Sequence, residues 1–240
     1  MTIDAGRLLV GSVSGLTPTM RGQLVTAGKN EAFFRDLFAR EAALSHPEYL
    51  CKPEWDISEQ AVIGWESDGM TAHKTKGIID LAVLDRTDLL SESPESLIEF
   101  KLWYSPDAAG DPKYRPDAKP HHSIPKAALI DRDKIRAVRS GAPRRDWVVT
   151  FVNTVHADRV SPDPGTTVRH SLRNRGIRYW QVHSSRSVME TGSDEIRRIG
   201  LERATEEIRR FMPRSTVLEL GQGEFRGVPV SIDCILSVVD

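Results

Sequence analysis

Apolar residues recur at helical spacing in several stretches of this chain. In residues 29–44 the side chains of Phe34, Leu37 and Phe38 fall on one face and charged residues occupy the other, which predicts an amphipathic helix. This helix should end before Pro47, because proline disfavours helical backbone at the residue that precedes it. The other predicted helices cover residues 126–139, 168–175 and 194–211.

Short runs of β-branched and other apolar residues alternate with these helices and predict strands. The predicted strands cover residues 57–65, 77–84, 96–103, 147–152 and 177–182, and a terminal hairpin joins residues 217–220 to 228–239. The residues before 29 are expected to be irregular, and residues 105–125, rich in Pro, Asp and Lys, to form a long loop. The alternation of strands and helices predicts an α/β fold, with a central sheet flanked by helices.

Length and composition place the chain among folded globular proteins. Its 240 residues suit one domain, with a core at about residues 29–182 and a helix and hairpin at 193–240. Cys51 and Cys234 lack the spacing of a disulfide framework or a zinc site, so both are expected to be reduced thiols. The chain has neither a signal-peptide pattern nor a run of about 20 apolar residues. These features predict a cytoplasmic protein that does not cross a membrane.

Charge is unevenly distributed although the formal net charge is only −1. Residues 111–146 contain ten Lys or Arg against five Asp, and residues 169–186 contain five Arg and no acid. If these two segments meet in the fold, they would form a surface that binds phosphates; solvated faces are the alternative. The candidate nucleic-acid-binding residues in these segments are Lys126, Lys134, Arg169, Arg173 and Arg175.

Three ionisable residues interrupt the apolar pattern of two predicted strands. Asp80 stands between aliphatic residues in the strand at 77–84, where burial of an unpartnered carboxylate is costly. In the next strand Glu99 and Lys101 are two positions apart, so their side chains project from the same face. If the two strands are neighbours, all three groups converge.

Convergence of two carboxylates and a lysine suits metal-assisted chemistry on phosphates. Asp80 and Glu99 offer the oxygen ligands that Mg²⁺ prefers, and the backbone carbonyl of Phe100 is a further candidate ligand. Such a metal would polarise a phosphate oxygen and lower the pKa of a bound water, while Lys101 would position that water or neutralise the developing charge. The alternative is an exposed salt bridge on an edge strand. Acid-x-lysine triplets also occur at 111–113 and 117–119, but within the predicted loop.

The segments Gly77-Ile78-Ile79-Asp80 and Glu99-Phe100-Lys101 resemble the signature of the PD-(D/E)XK nuclease superfamily, which has the restriction-endonuclease-like fold. Ile79 stands where the name-giving proline would be. In that superfamily the first helix often supplies a glutamate, and Glu31 resembles that position; a solvated acid at a helix start is the alternative, and Asp36 and Glu41 are weaker candidates.

The resemblance, which covers about residues 31–182, implies a Mg²⁺-dependent endonuclease in which Mn²⁺ can substitute. It implies a nucleic-acid substrate, with double-stranded DNA expected, in restriction, defence or repair. A nuclease for RNA or single strands is a second enzymatic interpretation. The non-enzymatic alternative is a catalytically silent protein of the same fold that binds nucleic acid or serves as an assembly subunit.

A few remaining features are open to two interpretations. His121 and His122 are adjacent, which suits a loop better than a metal-ligand pair. Trp103 and Tyr104 directly follow the lysine and could stack on a base, although packing in the core is the alternative. A homodimer joined through the apolar C-terminal hairpin would suit cleavage of both strands of a duplex.

Overall fold

The computed structural model describes residues 3–27, 30–57, 77–88, 94–109, 124–138, 145–177 and 189–240. The strands are β1 Tyr49–Asp56, β2 Ile78–Asp85, β3 Ser96–Tyr104, β4 Asp146–Val155, β5 Ser215–Phe225 and β6 Val228–Val239. The helices are α1 Ala5–Ser14, α2 Pro18–Thr26, α3 Glu31–Ser45, α4 Ser105–Ala109, α5 Ile124–Ala137, α6 Val168–Asn174 and α7 Ser193–Arg209. This confirms the predicted α/β class.

All these strands belong to one mixed six-stranded sheet with the order β1-β2-β3-β4-β6-β5. Strands β3 and β4 are parallel, and the other neighbouring pairs are antiparallel. The β3–β4 crossover contains α5, as parallel neighbours require a long connection. Every residue of β4 is buried, which fits the apolar run at residues 147–152 that only Thr150 interrupts.

Two apolar clusters cover the two faces of the sheet. On β4 the side chains alternate, with Val149 and Phe151 in one cluster and Val148 and Val152 in the other. Helices α1, α2, α3 and α6 contribute to the first cluster, whereas α5 contributes to the second. Helix α7 contributes Ile196 to the first cluster and Ala204 and Ile208 to the second. The helices α5 and α6 therefore lie on opposite faces of the sheet.

The N-terminal residues are helical, so the expectation of an irregular start was wrong. Helix α1 begins after Asp4, whose side chain accepts a hydrogen bond from the backbone of Arg7, and α2 begins after Thr17, with Pro18 as its first residue. The helix α2 packs tightly on the edge strand β5: a Cβ at Gly22 would stand 2.2 Å from the backbone of Glu224. Helix α2 has almost no apolar periodicity, which is why the pattern of apolar residues did not reveal it. In α1 the buried residues Leu8, Leu9 and Val13 do follow helical spacing, so the sequence carried a signal for this helix that the prediction overlooked.

Most predicted elements are confirmed, and their errors concern boundaries. The predicted strands at 77–84, 96–103 and 147–152 correspond to β2, β3 and β4, and the helix at 29–44 corresponds to α3. The predicted loop at 105–125 contains the short helix α4 and the start of α5; its residues 110–123 lie outside the described part. The strands predicted at 57–65 and 177–182 also lie outside it, except for Ile57 and Ile177. Strand β1 was not predicted.

The C-terminal segment is part of the sheet itself. Strand β6 lies between β4 and β5, and its residues contribute to both apolar clusters. The faces of β6 are thus covered by this chain, which removes the argument that the hairpin's apolar strand serves as a dimer interface. Cys51 in β1 and Cys234 in β6 are free thiols. Among the described residues, no helix has the length and apolar character needed to cross a membrane.

Candidate active site

The candidate site lies where β2 and β3 separate. The two strands pair only through Leu81–Val83 of β2, whereas β3 continues beside β4 as far as Tyr104. Beyond the last pair, the backbone N–H of Phe100 donates to a carboxylate oxygen of Asp80 at 2.8 Å. The backbone N–H of Leu102 donates to Glu31 at 3.0 Å. Beyond Leu81, β2 continues beside β1 but no longer pairs with β3, and two carboxylates accept the hydrogen bonds of β3 there instead.

Glu31 reaches this position because it is the first residue of α3, which packs on the same part of the sheet through Phe34 and Phe38. It is half-buried and hydrogen-bonded, so it is not merely a solvated acid at a helix start. The weaker candidates are elsewhere. Asp36 is exposed and pairs with Arg35, and Glu41 lies against α1 near Gly11.

Glu99 and Lys101 project from the face of β3 that α5 covers. The carboxylate of Glu99 is only 1% exposed and is ion-paired with the amine of Lys134. The amine of Lys101 lies 3.3 Å from Asp131 and 4.0 Å from Glu99. The two amines thus lie among several carboxylates. We call this group the charged cluster; it consists of Glu31, Asp80, Glu99, Lys101, Asp131 and Lys134.

Sequence reasoning missed Asp131 as a member of this cluster, and it assigned Lys134 to nucleic-acid binding alone. The signal available was their spacing: residues three apart on a helix lie on the same face. Both are largely buried on α5, with side chains 7% and 13% exposed. A buried acid and a buried lysine on one helical face indicate charged partners across that face, which are Lys101 and Glu99 here.

Burial dominates the titration of the cluster. Burial and then the charges of Asp131 and Asp80 raise the pKa of Glu99 well above its usual range, although Lys134 and Lys101 oppose the shift. Burial raises the pKa of Asp131 to about 6 against the opposing effect of the two lysines. Burial alone would lower the pKa of Lys101, but the surrounding carboxylates, with Asp131 foremost, raise it. Lys101 is therefore an ammonium, suited to electrostatic stabilisation.

The alternative of an exposed salt bridge on an edge strand is wrong. Strand β3 is the third of six strands, and Glu99 is buried beneath α5. A buried ion pair left with surplus charge is costly, so this cluster does not resemble the marginal surface pairs that many proteins carry.

The cluster carries more negative than positive groups. Its four carboxylates and two amines give a formal charge of −2 when all are ionised. Neither oxygen of Glu99 has a well-directed hydrogen bond from any residue that the structure describes. Oxygen ligands with uncompensated negative charge fit a hard divalent cation such as Mg²⁺. Asp80, Glu99 and the carbonyl of Phe100 would hold it, with Asp131 close by.

The carboxylates are occupied by groups of the chain itself. The amine of Lys134 forms an ion pair with Glu99, and the backbone N–H of Phe100 donates a hydrogen bond to Asp80. The amine of Lys101 donates to the carbonyl oxygen of Phe100 at 3.1 Å. In keeping with this, no three His, Cys, Asp or Glu side chains within the described ranges are already arranged around a metal position. A cation would therefore have to displace an amine from Glu99.

The candidate nucleic-acid-binding residues do not form one surface. Lys126 and Lys134 lie on α5, whereas Arg169 and Arg173 are exposed on α6, on the opposite face of the sheet. Arg175 pairs with Asp163 at 3.2 Å and donates to the carbonyl of Ser161, so it anchors a loop. The helices of the two basic segments, α5 and α6, lie on opposite faces of the sheet, so they do not combine into one phosphate-binding surface.

The remaining sequence candidates fall in three different places. Tyr104 is buried and its hydroxyl donates to the carbonyl of Val25 at 2.7 Å, so it is a core residue. Trp103 packs against the apolar cluster on the α5 face of the sheet. His121 and His122 lie outside the described residues.

Comparisons with known proteins give no relative for this chain. No protein-family model, no curated protein and no solved structure matches it. The site is therefore interpreted from its own residues.

Proposed function

We propose that this protein is a metal-dependent nuclease with the restriction-endonuclease-like fold of the PD-(D/E)XK superfamily, and that it cuts DNA endonucleolytically. The observation that carries the proposal is the position of Asp80, Glu99 and Lys101 around the point where β2 and β3 separate. Glu31 joins them from the first long helix. These residues come from three separate elements of the sequence, and a chance acid-x-lysine triplet has no reason to be completed in this way.

The chain's own residues have distinct parts in the proposed reaction. The divalent cation supplies Lewis-acid polarisation of a phosphate oxygen and an activated water. Asp80 and Glu99 would hold that cation, and the hydrogen bonds from β3 to Asp80 and Glu31 fix the direction of their carboxylates. Lys101 remains protonated and stabilises the negative charge that develops on the phosphate.

Restriction, antiviral defence and repair are the settings in which such an enzyme would act, in the cytoplasm. A nuclease for RNA or single-stranded DNA uses the same chemistry and is distinguished by the substrate that is cut. A homodimer would allow both strands of a duplex to be cut, with an interface other than the buried strand β6.

A second candidate function is a catalytically silent protein of the same fold that binds nucleic acid or serves as an assembly subunit. One observation favours it: Asp80 and Glu31 both accept backbone N–H groups, and lysine amines lie on Glu99 and Asp131. Every member of the charged cluster then has a structural role. The surplus of negative charge favours the enzymatic proposal instead.

The test is cleavage of plasmid DNA, single-stranded DNA and RNA by the wild-type protein in Mg²⁺, in Mn²⁺ and in EDTA. Asp80→Ala and Lys101→Ala should abolish cation-dependent cleavage. Asp85→Ala, at the other end of β2, and Lys52→Ala, on β1, are matched controls that should cleave like wild type. Absence of cleavage of every substrate, with nucleic-acid binding unchanged in Asp80→Ala, would favour the silent protein.

A further inference from the structure

The proposed function gives no part to Lys134, although this lysine makes the closest contact with the central carboxylate. Its amine is ion-paired with Oε1 of Glu99. Lys134 lies on the helix α5, whereas Lys101 lies on the strand β3 that this helix covers.

The two lysines divide the carboxylates between them. Lys101 is nearer to Asp131, at 3.3 Å, than to Glu99, at 4.0 Å. Lys134 therefore provides most of the compensation for Glu99, whose two oxygens lack other well-directed partners among the described residues. Without a compensating cation, a carboxylate that is 1% exposed would be strongly destabilising.

A divalent cation and the Lys134 amine cannot both occupy this side of Glu99. Mg²⁺ binds carboxylate oxygens at about 2.0–2.1 Å, closer than any hydrogen-bonded amine, and keeps several waters around it. The side chain of Lys134 is only 13% exposed, but its charge stands at the end of a flexible stem of four methylene groups. Rotation about the bonds of that stem can move the amine away from Glu99 while the helix stays in place.

We propose that Lys134 is an exchangeable internal counter-ion: its amine holds Glu99 in the cation-free protein and moves to a substrate phosphate when a divalent cation takes its place. This inference rests on the proposed metal-dependent function and adds a regulation of the same site. Because the Lys134 amine and the divalent cation compete for Glu99, the site binds the cation less tightly when no substrate is present. The competition also links cation binding to substrate binding, because the displaced ammonium becomes available to the phosphate backbone.

The structure supplies the reason why a lysine suits this exchange. The ammonium is a compact charge on a flexible stem, whereas a guanidinium would bind the carboxylate with two parallel hydrogen bonds. For comparison, Arg197 holds the buried Asp233 in that bidentate way, at 2.6 and 2.7 Å. One buried carboxylate of the sheet thus receives two parallel hydrogen bonds, whereas the other contacts a single flexible ammonium.

The first measurement is binding of Mn²⁺ and Ca²⁺ by calorimetry, without substrate, to wild type and Lys134→Gln. The variant should bind the cation roughly tenfold more tightly, since a competing unit charge within about 4 Å has been removed. Arg136→Gln removes a positive charge two residues along α5, where Arg136 bonds the C-terminal residue Asp240, and should leave the affinity unchanged. Lys134→Arg should bind the cation at least as weakly as wild type.

The second measurement is the affinity for a DNA duplex in Ca²⁺ and in EDTA. Wild type should bind DNA more tightly in Ca²⁺ than in EDTA. In Lys134→Gln, the difference in log affinity between the two conditions should be at most half of the wild-type difference. Circular dichroism of each variant in EDTA ensures that a folded protein is compared.

The outcomes separate this inference from the proposed function. Cation affinity that is unchanged or weaker in Lys134→Gln, in a wild type that cleaves DNA, would overturn the counter-ion and leave the nuclease standing. Tighter cation binding by the variant in a protein that never cleaves would support the counter-ion and count against the nuclease. If neither protein binds either cation, both are wrong.

Discussion

Two carboxylates buried in the sheet, Glu99 in β3 and Asp233 in β6, have opposite environments. Asp233 is fully buried and receives two hydrogen bonds from the guanidinium of Arg197, so its charge is locally matched. Glu99 is equally buried, but it shares two amines with three other acids and lacks directed hydrogen bonds from described residues. The difference teaches that burial of a carboxylate in an apolar strand does not identify a functional site. Unbalanced charge around Glu99 is what makes the charged cluster the candidate site.

The same contrast extends to the surroundings of the two residues. Near Asp233, the imidazole of His156 lies between the hydroxyls of Ser193 and Ser231, at 2.6 and 2.8 Å, so each ring nitrogen has a partner. In the charged cluster, by comparison, burial raises the pKa of Glu99, and the neighbouring acids Asp131 and Asp80 raise it further. A satisfied polar network stabilises one arrangement, whereas the charged cluster has more acidic than basic groups, which is the basis of the proposed cation site.

The largest expected effect comes from Glu99→Gln. Loss of this charge should reduce cation-dependent cleavage by about a thousandfold, the size of effect seen when a central electrostatic group is removed from an active site. The free energy of unfolding in EDTA should change by less than about 1 kcal/mol, because surplus negative charge is removed together with one partner of Lys134. Cleavage rates and urea denaturation measure the two quantities. Unchanged cleavage would contradict the role of Glu99.

The converse change is Asp233→Asn. It leaves the largely buried guanidinium of Arg197 without its matched carboxylate and should lower the free energy of unfolding by about 3 kcal/mol. Cleavage per folded molecule should be that of wild type. If Asp233→Asn reduced cleavage as strongly as Glu99→Gln while the protein stayed folded, the contrast between the two carboxylates would fail.

A smaller effect is expected from the pH dependence of stability. Burial, assisted by Arg159, lowers the pKa of His156 to about 4, whereas Asp194 and Asp158 oppose the shift and Arg197 adds to it. The unfolded chain, with an ordinary histidine pKa of about 6.5, therefore binds more protons than the folded chain below that pH. The stability from neutral His156 is complete above about pH 6.5 and is lost as the pH falls toward 4.

Urea denaturation of wild type and His156→Gln between pH 7.5 and 4 measures this contribution. The variant cannot protonate at this position, so its stability should depend less on pH over that interval than that of wild type. Parallel pH profiles of the two proteins would show that His156 does not contribute.

The smallest effect is expected from Arg169→Gln. Arg169 lies on α6, on the face of the sheet opposite to α5, and so far from a strand of DNA bound at Glu99. Each lost phosphate contact reduces the slope of log affinity against log salt concentration by about one. In Arg169→Gln the slope should be that of wild type, and the affinity for DNA should stay within about twofold of the wild-type affinity. A reduced slope would extend the DNA surface around the molecule.

Much of the sheet and the centre of the site could be predicted because both depend on local pattern. Strands β2, β3 and β4 are recognisable by their apolar side chains, and Asp80, Glu99 and Lys101 by the interruption of that pattern. Strand β1 escaped prediction because it lies at the edge of the sheet, where most of its side chains are exposed and polar residues are acceptable.

Asp233 shows the limit of that reasoning most clearly. It interrupts the apolar strand β6 just as Asp80 interrupts β2, yet Arg197 on α7 neutralises it from a position 36 residues away in sequence. Sequence cannot assign such a partner, because the pairing depends on which helix packs over which strand. Asp131 and Lys134 were missed as partners of Glu99 for the same reason.

The sequence by itself determined the α/β class, the strands that carry the site and the residues Asp80, Glu99 and Lys101, because periodicity and its interruptions are properties of adjacent residues. Only the tertiary structure decided that β2 and β3 separate beside these residues, that Glu31 accepts a hydrogen bond from the backbone N–H of Leu102, and that α5 brings Lys134 to Glu99. These facts depend on contacts between distant segments, and the balance of charge around a buried carboxylate is set by those contacts.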